Sequence, residues 1–279
     1  MHPFKHQQSR ILYDSLIRGN NGTNTSKSSD EAASGSDESS SIGDETTSGG
    51  EGHVFKVKIN SKIYALKLFK FFDVEAERAE YPSLDDEGIE DEEFENHFDP
   101  FYAECRAYGA IEEKIYHGNP PTDEKDWVAA PCYGYLHVSA ADEAEIRRKF
   151  NIKDWNRPED NDPKPIRGLV KEFIEQKDAV DTKRRSVRRM RKDLLMIRSA
   201  GVYPRDLFAR NYRGGLFVDF GHSFTEPHCA LRVFHERRAN AEKTQDLRLF
   251  YKMLEDLGIK YPAGTMPERI IPTRQRTSR

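Results

Sequence analysis

Apolar and polar positions alternate from Phe55 onward, where Phe55, Val57 and Ile59 are followed by Lys56, Lys58 and Asn60. That period of two predicts a β-strand. Asn60 and Ser61 supply turn chemistry and the pattern resumes over 63–71, so the pair reads as a β-hairpin. Asp99-Pro100 predicts a helix start, an acidic cap before a proline whose missing N–H is harmless in the first turn, and the helix runs to about Lys114. Further strands are expected over 127–138 and 168–174. Between 181 and 199, Val187, Met190, Leu194 and Ile197 recur at helical spacing. Leu247, Phe250, Met253, Leu254 and Leu257 mark another helix. Strands, one helix, more strands and then mainly helices give an α+β fold.

Two stretches interrupt the pattern. Residues 19–51 are almost wholly Gly, Ser, Thr, Asn, Asp and Glu, which cannot bury enough apolar surface to offset chain entropy, so they read as a disordered insert. Acids dominate 82–96, which reads as a second, solvated insert. The expected organisation is therefore an N-terminal strand or helix segment over 1–18, the insert over 19–51, a sheet-bearing lobe over 52–174, a helical lobe over 175–260 and a tail over 261–279.

Net charge is −4, with no general basic excess to neutralise phosphates. The basic run from Lys183 to Arg189 reads as the solvated face of a helix, and no direct nucleic-acid contact is expected. Cys105, Cys132 and Cys229 are odd in number and lack paired spacing, so they are expected as reduced thiols. No apolar run approaches membrane-spanning length and residues 1–8 lack the apolar core of a signal peptide, which predicts a nuclear or cytoplasmic protein.

Candidate chemistry gathers in the C-terminal half. Asp206-Leu207-Phe208-Ala209-Arg210-Asn211 is followed closely by Asp219-Phe220-Gly221. Phosphoryl transfer from ATP needs a cation on the phosphates, oxygen ligands for magnesium and a carboxylate that orients the attacking hydroxyl. Asp206 suits the last role, and Asn211 and Asp219 suit the metal. Gly214-Gly215 between them can form a tight hairpin that brings both ligands to neighbouring strand ends. Lys67, in Tyr64-Ala65-Leu66-Lys67, falls on what period two makes an apolar face, and Ala65 shares that face. It is the candidate phosphate-handling lysine. Glu104 falls on the apolar face of the helix that Asp99 caps, which favours it over Glu112 and Glu113 as the partner of Lys67. In Gly49-Gly50-Glu51-Gly52-His53-Val54, backbone amides near Gly49 and Gly52 could cover phosphates and Val54 could cap an adenine ring.

In this order the motifs resemble the protein kinase superfamily from about Arg10 to Leu257. The resemblance implies a compact two-lobed fold, a small N-terminal sheet lobe and a shortened helical C-terminal lobe, with ATP and Mg2+ as cofactors. Asp-Leu-Phe-Ala-Arg-Asn is similar to the tyrosine-kinase form of the catalytic loop, which implies a catalytic role for Arg210. More closely, His53-Val54-Phe55-Lys56-Val57, the segment from Phe101 to Gly109, Val218-Asp219-Phe220 and Thr225-Glu226-Pro227-His228 resemble small fungal kinase-like proteins filed with the Fta-two family of kinetochore Sim-complex subunits. That implies protein partners in a kinetochore-like complex and a nuclear, centromere-associated role.

The chain departs from the kinase pattern at Pro204, which stands where the loop histidine is usual, and it has no Ala-Pro-Glu. Thr225-Glu226-Pro227 comes too early to end an activation loop. Three functions follow as expectations: an ATP-dependent phosphotransferase with an unidentified acceptor, a pseudokinase or structural subunit, and a small-molecule kinase.

Overall fold

The computed structural model describes residues 46–59, 61–85, 88–158, 164–176, 179–181 and 185–261. The expectations for 1–18, for 19–45, for 262–279 and for Asn60, Lys183 and Arg184 lie outside the described residues. In chain order the elements are β1 (Thr46–Ser48), β2 (Gly52–Ile59), β3 (Lys62–Phe69), α1 (Val74–Ala79), α2 (Pro82–Asp85), α3 (Asp91–Phe98), α4 (Pro100–Lys114), β4 (Cys132–Val138) and α5 (Ala140–Phe150). They continue as β5 (Ile166–Glu172), α6 (Val187–Ser199), β6 (Val202–Tyr203), β7 (Tyr212–Arg213), β8 (Leu216–Phe217), β9 (Phe224–Thr225), α7 (Cys229–Val233) and α8 (Glu236–Asp256). The fold is α+β and divides into two compact units.

The first unit takes residues up to Phe71 and then Pro131–Phe173. Its antiparallel sheet has the order β1-β2-β3-β5-β4. The alternation read from the sequence places Phe55, Val57 and Ile59 with Leu66, Leu68, Leu136, Val138, Ile166 and Val170 in one core, against Ile152 and the fully buried Trp155. Phe71 N donates to Trp155 O at 2.8 Å, tying the end of the β3 run to that loop. α5 was not anticipated from apolar spacing. Its boundaries are set by local chemistry instead: Ser139 caps the start, accepting from Asp142 N, and Asn151 ends it in the left-handed region at φ +52°.

Several strand limits differ from expectation, β3 ending at Phe69 instead of 71 and β5 running Ile166–Glu172 instead of 168–174. β1 is built from residues assigned by composition to the first insert, because Thr46–Ser48 pair with β2. β4 begins only at Cys132, since Pro131 has no N–H to give a ladder.

The second unit takes Phe72–Ala130 and the chain from Ile174 onward. The described residues of the acidic stretch 82–96 are corrected here from solvated insert to folded structure. Leu84, Ile89, Phe94 and Phe98 pack into a core with Phe224, Cys229, Ala230 and Phe234. Asp91, Glu92 and Glu93 occupy the first turn of α3, where negative charge opposes no helix carbonyl and complements the exposed N–H groups. α4, grouped with the sheet in the sequence reading, also falls in this unit. Arg106 donates to Thr225 O at 3.1 Å, and Lys114 Nζ to Ala200 O at 2.8 Å. Asp99 accepts from Phe101 N at 2.8 Å and Pro100 follows as the first helical residue. α6 starts at Val187 rather than near 181, capped by Ser186 through Arg189 N.

Cys105, Cys132 and Cys229 are free thiols. Among the described residues no helix is long and apolar enough to cross a membrane.

Candidate functional site

In the first unit the register of β2 and β3 decides which candidates meet. Val54 lies opposite Lys67, and Lys56 opposite Ala65. Residues directly opposite in an antiparallel pair share a face, so Val54, Ala65 and Lys67 project from the same side of the sheet, away from the Trp155 core. Lys67 is only 3% exposed. Its Nζ lies 4.7 Å from the centre of the Phe69 ring and 3.1 Å from a carboxylate oxygen of Glu51. Gly49, Gly50 and Glu51 form the turn between β1 and β2, closed by Gly49 N donating to Gly52 O at 2.9 Å. Gly52 is fixed by sterics: a Cβ there would stand 2.2 Å from Leu68 O.

In the second unit Asp206, Arg210, Asn211 and Asp219 come together around one hairpin. Gly214 and Gly215, at φ +55° and +84°, make the two-residue turn that joins β7 to β8. Val218 N donates to Asn211 O at 2.9 Å, extending that ladder and setting Asn211 beside the residue before Asp219. The Asn211 amide donates to Asp206 O at 2.8 Å and to Asp206 Oδ2 at 2.9 Å. With its NH2 used inward, the amide carbonyl is the group left to meet a ligand. Arg210 closes the Asp206 carboxylate from the other side, its guanidinium reaching both oxygens at 3.0 and 2.7 Å. Asp219 Oδ1 accepts from Gly221 N at 3.0 Å, which fixes the carboxylate against its own turn. Leu207 and Phe220 are buried and anchor the two segments, whereas Phe208 is 39% exposed and lies under the Arg210 guanidinium.

Glu104 is fully buried on the inner face of α4 with Phe101, Ala107 and Ile111, whereas Glu112 is half-buried and Glu113 exposed. Lys67 belongs to the first unit and Glu104 to the second. The ion pair expected from the sequence would join them.

Pro204 removes the side chain that a histidine would offer, and Arg205 takes its support elsewhere. Its Nε donates to Glu242 at 3.0 Å, one terminal nitrogen reaches Tyr81 Oη at 3.1 Å, and the guanidinium lies 4.1 Å from the centre of the Phe224 ring. Sequence reasoning missed Glu242 and Tyr81, which lie far from the loop in the chain. It also missed Glu51, although a carboxylate inside a glycine-rich turn was a readable oddity.

A carboxylate at Asp219 and an amide carbonyl at Asn211 are hard oxygen donors of the kind magnesium takes, with water and phosphate completing the shell. Among the described residues no three His, Cys, Asp or Glu side chains gather into a metal cage. Residues 30–224, well over half of the chain, match the family model described as kinetochore Sim4 complex subunit FTA2. No curated protein matches the chain.

Proposed function

The chain belongs to the kinetochore Sim4 complex subunit FTA2 family, and from that premise we propose that it acts in the nucleus as a protein-binding subunit of a kinetochore complex. The family match carries this reading: residues 30–224 take in the whole sheet, α4 and the loop from Asp206 to Asp219. The role is structural in the first instance, with protein partners rather than nucleic acid as its contacts. Recovery of the tagged chain from nuclear extract tests it. Sim4-complex subunits should accompany both the wild-type chain and an Asp206→Asn, Asp219→Asn double variant. Absence of those subunits from the wild-type sample would overturn the reading.

A second reading, an ATP- and magnesium-dependent phosphotransferase on a protein-kinase-like scaffold, draws on a different observation. Asn211 and Arg210 together hold the Asp206 carboxylate in a fixed orientation, and the hairpin brings Asn211 next to Asp219. The strand order β1-β2-β3-β5-β4, with α4 following β3 and a short β7-β8 hairpin after the loop, supports the same resemblance. On this reading Lys67 binds phosphate, Glu104 orients it, Gly49, Gly52, Val54 and Ala65 lie along the nucleotide, and Asp206 accepts the acceptor's proton. Magnesium held by Asn211 and Asp219 would neutralise phosphate charge. A rise in melting temperature with MgATP, lost in Asp219→Asn and Lys67→Met, is the expected result. No rise at millimolar MgATP in any form of the chain, including one with Glu51 replaced, would leave only the structural role.

A further inference from the structure

Two apolar side chains of the second unit project beside one cavity. Phe208 is 39% exposed and Leu257 43%, and both line a hollow of about 290 Å³ that Leu249, Met253, Arg210 and Lys252 also wall. A lone exposed leucine is ordinary, but two large apolar groups around one hollow make a patch. Neither is there through slack in the backbone. α8 closes with Gly258 at φ +66°, Gly258 N donating to Glu255 O at 2.9 Å and Ile259 N to Leu254 O at 2.8 Å, a double-bonded cap that holds Leu257 at the helix end. Phe208 is bracketed by two bonds, its N to Asp206 O at 3.0 Å and Asn211 N to its O at 2.9 Å, and the Arg210 guanidinium lies 4.5 Å from its ring centre. Groups already fixed lose little entropy when a partner covers them.

The charges at the rim are already matched. Arg210 holds both oxygens of Asp206, and Lys252 Nζ lies 3.3 Å from Asp256, which also lines the hollow. The hollow therefore suits an apolar side chain better than a small ionic ligand. Lys252 and Asp256 are both largely exposed, and an exposed pair one turn apart contributes little to the fold, so each can exchange its mate at small cost. A patch that carries a hollow, a projecting leucine and both signs of charge is complementary to itself. Under a two-fold axis the Leu257 of one copy enters the hollow of the other, and the Lys252 of each copy meets the Asp256 of its mate.

We propose that this face, formed by residues 208–210 and the C-terminal turns of α8, is a self-association surface whose occupant is a second copy of the chain. It is built wholly within the second unit. It needs neither nucleotide nor another kinetochore protein, so it stands whichever functional reading holds.

Sedimentation velocity of the full chain between about 1 and 200 µM is the test, and thermal melts identify the variants that remain folded. Wild type should pass from one chain mass to two across that range. Leu257→Lys places a cation at a helix C-terminus, which the fold tolerates, and should weaken association about tenfold or more. Lys252→Asp and Asp256→Lys should each weaken it, because like charges then face each other. An equimolar mixture of those two variants should associate at least as tightly as wild type, a recovery that only pairing between copies produces. A wild type that stays one chain at every concentration overturns the proposal. So does a dimer that Leu257→Lys and the charge reversals leave unchanged, or a mixture no tighter than its parts. A single-chain wild type that associates once Ile270 and Ile271 are replaced by serine also overturns it, by giving the hollow to the chain's own tail.

Discussion

Arg198 of α6 donates into the carboxylate of Asp246 on α8, which is fully buried, and the second Asp246 oxygen has no hydrogen-bond partner among the described residues. Burial raises the Asp246 carboxyl to about 6, and this outweighs Arg198 and the Leu247 N–H, both of which pull it down. The charged form is therefore tolerated rather than favoured, although a cation touches it.

Stability should accordingly fall as pH rises through this carboxyl. The folded chain holds the proton up to about pH 6, while the unfolded chain releases it near 3.8. Between those values the folded state binds more protons, so its advantage is complete below the lower value and lost above the upper one. Denaturant titrations at pH 4 and pH 6.5 should show wild type losing about 2 kcal/mol relative to Asp246→Asn. Parallel pH profiles for the two proteins would refute the assignment.

Asp193 is the hub of a second buried charge group, taking Arg185 on one oxygen and Arg189 on the other, the latter at 2.7 Å. Arg185 is 5% exposed and also donates to Trp127 O at 3.1 Å and Glu124 O at 3.0 Å. Removing the carboxylate leaves a buried cation without its counter-charge. Asp193→Ala should lower unfolding free energy by about 3–5 kcal/mol in urea titration. A loss below about 1 kcal/mol would mean that the carbonyls alone satisfy Arg185.

Phe94 tests whether the acidic stretch is part of the core. It is fully buried, stacked on Phe98 at 4.3 Å and lying 4.6 Å from the Arg78 guanidinium. Phe94→Ala should cost about 3–5 kcal/mol. Glu92→Ala, on the exposed side of the same helix, should change stability by about 0.5 kcal/mol or less. Equal effects in thermal melts would restore the view of a solvated insert.

Gly52 and Gly50 offer a matched pair two residues apart. Gly52→Ala forces a Cβ to within 2.2 Å of Leu68 O, whereas Gly50→Ala enters open space. The first should destabilise the first unit by more than about 2 kcal/mol and the second by well under 1. Hydrogen exchange of β2 and β3 amides separates the two outcomes.

What could be read in the chain was what repeats locally. The alternation of Phe55, Val57 and Ile59 gave the hairpin its buried face, and Asp99-Pro100 marked the start of α4 because both act on the nearest N–H groups. Glycine pairs told of the β7-β8 turn for the same reason. The helices of 82–98 escaped notice because Leu84, Ile89, Phe94 and Phe98 are few among acids, and their burial comes from residues such as Phe224 and Phe234 more than a hundred positions away. Composition counts charges but not which side of a helix they occupy. At the candidate site, sequence order proposed Lys67, Asp206, Asn211 and Asp219, but Glu51 on Lys67 and Glu242 on Arg205 are products of register and packing.

The sheet draws β1 to β3 from residues 46–69 and β4 and β5 from residues 132–172, with α1 to α4 between them. As the chain leaves the ribosome, β3 must therefore wait with one edge unpaired while some sixty residues of the other unit are made. Its partner there, β5, is the last strand of the sheet to emerge. Closure of that sheet is a late, long-range event, and a nascent chain stalled before residue 166 would present the β3 edge to whatever chaperone or neighbouring strand reached it first.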